Sequence, residues 1–122
     1  MSSRILLHNT MRGHDGQWNE LCQALRDAVD FTQHHTPQLA VEIFIEEERH
    51  IAHSFQWFPD SEAVRAHWNI SASAIDRVMD HGSVERLDVY GNPDQQVLDT
   101  LETFSQHLPV TVSPRLAGFL RW

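Results

Sequence analysis

The chain has 122 residues, 41% hydrophobic and 21% charged, which predicts one globular domain over residues 1–122 and excludes a disordered chain. Seventeen acidic residues against nine basic ones leave a formal charge of −8, which argues against a nucleic-acid surface and against anionic membranes. No apolar run reaches the roughly 20 residues of a membrane span, and the start MSSRILLHNT is too short an apolar stretch for a signal peptide, so a cytoplasmic protein is expected.

In chain order, Ser3 to Thr10 reads as a short strand broken by the glycines of MRGHDG. From Gln17 to His34, Trp18, Leu21, Cys22, Leu25, Ala28 and Val29 recur at helical spacing. Cys22, the lone cysteine, sits on that stripe as a small core residue. Gln38–Glu46 and His50–Phe58 form a hairpin around the acidic turn Glu46-Glu47-Glu48-Arg49.

In HSFQWF, His53, Phe55 and Trp57 fall on one face of the strand, and Ser54, Gln56 and Phe58 on the other. Pro59 stops the strand, and Asp60 or Ser61 caps a helix that reaches Asp80 with an interruption near Asn69–Ser73. Ile75, Val78 and Met79 share one side of its second half. Ser83–Tyr90 is the next strand. Asn92 then caps a helix with Pro93 at its first position, and Pro109 ends it. Val110–Ser113 and Leu116–Trp122 close the chain as two short extended segments.

The order β-α-β-β-α-β, then α and β, predicts an α+β, ferredoxin-like split βαβ with an antiparallel sheet and helices on one face. The bare face would expose apolar surface, so a homodimer is expected.

Three blocks carry a resemblance: Trp57-Phe58-Pro59-Asp60-Ser61-Glu62-Ala63 followed by Ala66-His67, then Val89-Tyr90-Gly91-Asn92-Pro93, then Ala117-Gly118-Phe119-Leu120-Arg121. In order and spacing they resemble the antibiotic-biosynthesis monooxygenase family. The resemblance implies a dimeric α/β barrel with a cleft between sheet and helices for a small aromatic molecule. It also implies oxidation of phenols or hydroquinones by dioxygen, without a cofactor.

The phenol-oxidising branch uses an Asn and a Trp four positions apart on the third strand. That spacing falls on His53 and Trp57, which makes them the expected catalytic pair, Trp57 positioning the ring and His53 assisting deprotonation. Asn9, Phe55, His67, Trp68 and Met79 are the expected ligand-binding set. Asn9 and Trp68 also approximate positions used by a heme-degrading branch, but Arg77 stands where that branch has its axial histidine.

The alternative is a ligand-binding or stress-response barrel without turnover. His8, His53 and Asp88 become neighbours in this strand order and would suit iron or zinc. No HxH, HxxxH or CxxC pattern clusters ligands, however, and no metal site is expected.

Overall fold

In the computed structural model, which describes residues 3–121, Ile5, Leu7 and Met11 of β1 (Ile5–Gly13) are buried at alternate positions. This central strand pairs antiparallel with β3 (Ile51–Phe58) on one side and β4 (Gly82–Tyr90) on the other. The hairpin forms as expected, β2 (Ala40–Glu46) pairing antiparallel with β3 through a 3-10 turn at Glu47–Arg49. His50 leaves that turn in the left-handed region, at φ 54°. The order is β2-β3-β1-β4-β5, an open five-stranded sheet.

The four strands of the split βαβ pair antiparallel as expected, and the extra C-terminal strand β5 (Val110–Ser113) makes the sheet mixed by running parallel to β4. The intervening helix supplies the crossover that a parallel pair requires. Leu116–Trp122 forms no strand over its described part. Leu116 and Phe119 are instead 98% and 74% exposed, and Trp122 lies outside the described residues.

The helices α1 (Trp18–His35), α2 (Ser61–Ile70), α3 (Ala72–Met79) and α4 (Gln95–Ser105) cover one face. None among the described residues is long and apolar enough to cross a membrane. Asp60 caps α2 by accepting the Ala63 N–H at 2.8 Å. The cap of α4 is Asp94, not Asn92, and its carboxylate accepts the Val97 N–H at 3.0 Å. Gly91, which donates to the Ser113 carbonyl at 2.9 Å, sits at φ 130°. A Cβ there would lie 2.8 Å from the Arg4 carbonyl oxygen, so the turn needs glycine.

The core is divided. Ile5, Leu7, Phe58, Val64, Val89 and Val97 pack under α2 and α4, while Met11, Leu21, Leu25, Ala52 and Val78 pack under α1 and α3. Between the two clusters the inner sheet face turns polar. Asn9 interrupts the apolar series of β1, and Ser54 and Gln56 interrupt that of β3. Register places Asn9 directly opposite Ser54, and Leu7 opposite Gln56.

Candidate functional site

Where the two clusters fail to meet there is a cavity of about 610 Å³ between sheet and helices. That volume is in the range of small-molecule sites. The sheet contributes Asn9, Ser54 and Gln56, and the interrupted helix contributes His67, Trp68 and Met79. Asn9 makes no side-chain hydrogen bond with another described residue, so its amide keeps its full bonding capacity towards the cavity. Gln56, by contrast, is engaged: it donates to the Ser54 hydroxyl at 3.0 Å and accepts from Gln38 at 2.6 Å.

His67 is 6% exposed, its Nδ1 lies 3.0 Å from the Ser71 hydroxyl, and its ring is tilted against Phe58. Burial pushes its pKa down to about 4, because the cation would lose its hydration. Ser71 is itself buried and stands at the break between α2 and α3, so the weak segment seen in the sequence is pinned by this contact. Trp68 meets Phe104 edge to face at 5.5 Å and closes the α4 end of the cavity. Met79, 40% exposed, stands at the rim, as do the exposed Asp76 and His107.

Four of the seven residues singled out from the sequence therefore line one cavity: Asn9, His67, Trp68 and Met79. The other three do not. His53, Phe55 and Trp57 share a face, as their spacing requires, but it is the helix-free face. The expectation that His53 and Trp57 wall the cleft between sheet and helices is corrected: the even-numbered residues of β3 turn to the helices, and the odd-numbered ones turn away.

On the open face these side chains form a network of their own. His53 Nε2 lies 2.7 Å from a Glu46 carboxylate oxygen, and His53 Nδ1 lies 3.0 Å from His8 Nε2. The hydrogen bond from His53, and a second from Arg49, hold Glu46 below its ordinary pKa. His53 Nε2–H donates to the ionised Glu46, and the direction of the His8–His53 hydrogen bond is set by the tautomers of the two rings. His8 stacks on Phe55 at 4.2 Å. Its pKa is lowered by burial first and by the neighbouring His53 second.

Asp88, across from His8, is bound instead by Arg86 and Thr111. Among the described residues no group of three or more His, Cys, Asp or Glu could hold a metal ion. The face expected to be apolar thus carries Arg12, Glu42, Glu46, Arg86 and Asp88 beside the aromatics Phe44, Phe55, Trp57 and Tyr90.

Ser54, Gln56, Asp76 and His107 were missed from the sequence. The first two carried a signal, polar residues alternating with buried apolar ones on β3. The rim pair carried none.

No protein-family model matches the chain, and no curated protein does. Solved structures do match. MupZ from Pseudomonas fluorescens superposes with a TM-score of 0.77 at 12% identity, covering 97% of this chain and 94% of that one. SnoaB, a cofactor-independent oxygenase from Streptomyces nogalater, gives 0.61 at 11% identity over 76% and 96% of the two chains. A candidate antibiotic biosynthesis monooxygenase from Chloroflexus aurantiacus J-10-fl gives 0.61 at 14% identity over 71% and 90%. The chain therefore shares the ferredoxin-like α+β fold of these structures, one of them a candidate antibiotic biosynthesis monooxygenase, with its sheet open rather than closed into a barrel.

Proposed function

We propose that the chain is a cofactor-independent monooxygenase that oxidises a phenol or hydroquinone held in the cavity between sheet and helices. One observation carries the reading: an apolar cavity whose sheet wall presents the uncommitted Asn9 amide, beside a neutral buried His67 and the ring of Trp68. Support for the chemistry comes from the fold, which is that of SnoaB, a cofactor-independent oxygenase.

In this reading Trp68 packs on the aromatic ring and Asn9 binds the hydroxyl that becomes the oxyanion. A histidine with a pKa near 4 stores no phenolic proton, so His67 positions the substrate. The proton leaves by the rim, where Asp76 and His107 stand. One atom of dioxygen becomes a carbonyl oxygen on a ring carbon that carried hydrogen, and the other leaves as water; a phenol and dioxygen thus give a quinone and water, and the substrate itself supplies all four electrons. A second copy of the chain covers the open sheet face through its aromatics Phe44, Phe55, Trp57 and Tyr90, completing a homodimer.

Oxygen uptake with a panel of phenols and hydroquinones in metal-free buffer tests the proposal. Asn9→Ala should lower kcat/KM roughly tenfold or more, the cost of one oxyanion hydrogen bond in a dry site. His53→Ala should stay within about twofold, because a group outside the cavity makes no hydrogen bond to the reacting oxygen. Loss of turnover in His53→Ala with Asn9→Ala unaffected would move the chemistry to the open face. Binding of phenols without uptake by wild type would leave the alternative, a ligand-binding barrel without turnover.

A further inference from the structure

A second cavity, of about 380 Å³, lies between α1 and the edge strand β2. It shares Leu25, Val29, Val41 and Ile43 with the larger one, so the two form one trough running outward along the sheet edge. Its character changes along its length. Trp68 and Phe104 stand at the α4 end, whereas the arm towards β2 is walled by aliphatic side chains and Cys22, without an aromatic ring. From Val41 to Ile45 the wall extends for about 13 Å at the rise of a strand. An arm of that length and lining suits a flexible aliphatic chain better than a second ring.

Arg26, exposed on α1, lines the arm between Cys22 and Val29. Arg12, Arg49, Arg65, Arg77 and Arg86 each have a carboxylate partner. Arg26 makes no ion pair or side-chain hydrogen bond with another described residue, in a chain whose formal charge is −8. Glu47, whose charge also reaches Cys22, accepts the Trp18 indole N–H at 3.0 Å and makes no ion pair with Arg26. A cation without a carboxylate partner on the wall of an aliphatic arm is complementary to an anionic chain end.

We propose that the molecule bound in the main cavity carries an aliphatic arm ending in a carboxylate, which lies between α1 and β2 with the carboxylate on Arg26. This rests on the cavity reading above and adds the shape and charge of the substrate to it.

Calorimetric titration with hexanoate, octanoate and decanoate tests it, with 1-decanol as the uncharged control and 1-naphthol as a probe of the main cavity alone. Affinity should rise about three- to fourfold per added methylene. Arg26→Glu should weaken decanoate about tenfold, by replacing attraction with repulsion, and leave 1-decanol within about twofold. Equal affinity along the series, or an equal loss for acid and alcohol in Arg26→Glu, would overturn the proposal. If 1-naphthol binds and no carboxylate does, the arm fails and the cavity reading stands. If none of the probes binds, both fail together.

Discussion

Lowering the pH from 7 to 4 should cost the fold about 3 kcal/mol through His67 alone. Its pKa is about 4 in the folded chain against 6.5 for the free side chain. Between those values the unfolded chain holds a proton that the folded chain refuses, so stability rises with pH across the window and is complete above it. Each unit of separation contributes about 1.4 kcal/mol. His8 adds to the same loss, since its pKa is also lowered, and the lowered carboxyls of Asp27, Glu46, Asp88 and Asp94 begin to add to it as the pH nears their ordinary values. His67→Gln, which stays neutral and can still reach the Ser71 hydroxyl, isolates the effect. Urea unfolding at pH 7 and pH 4 should show the smaller acid loss in the variant. Identical losses in the two proteins would mean that His67 is hydrated in the folded state.

Trp68→Ala should remove both stability and ligand affinity. The ring is partly buried, meets Phe104 edge to face and packs against the cluster under α2 and α4. Truncating a fully buried Trp costs about 3–5 kcal/mol, and a partly exposed one sits at or below the lower end. Affinity for a planar phenol should fall about tenfold, as expected for the loss of an aromatic contact worth about 1 kcal/mol and some of its buried area. Trp57→Ala should lower stability and leave phenol affinity unchanged. Calorimetric titration with thermal unfolding of the two variants separates these outcomes. Loss of phenol affinity in Trp57→Ala with Trp68→Ala unaffected would contradict the assignment of faces.

Element order and type were legible because they depend on local rules. The spacing of Trp18, Leu21 and Leu25 makes a helix, and Asp60 caps the next one by the expected bond. The strand-helix-strand order from Ser83 to Ser113 also contained the crossover that the parallel pairing of β5 requires.

What alternation cannot supply is which face the helices cover. On β3 the aromatic weight of Phe55 and Trp57 points to the wrong side. The inner face is recognisable only through small, neutral Ala52, Ser54 and Gln56 ending in Phe58. Asn9 declares itself once Ile5, Leu7 and Met11 are seen to be buried around it. The His8–His53–Glu46 network needs the register of three strands, which lies beyond the reach of spacing within any one of them.

The four tryptophans of the chain offer the most direct measurement of where a ligand sits. Trp68 lines the cavity, whereas Trp57 stands on the opposite face of the sheet. A two-dimensional nitrogen–proton spectrum resolves their indole N–H signals, assigned through Trp57→Phe and Trp68→Phe. Titration with 1-naphthol should displace the Trp68 signal progressively and leave that of Trp57 in place. Movement of the Trp57 signal with Trp68 unmoved would contradict the account and put the site on the open face of the sheet.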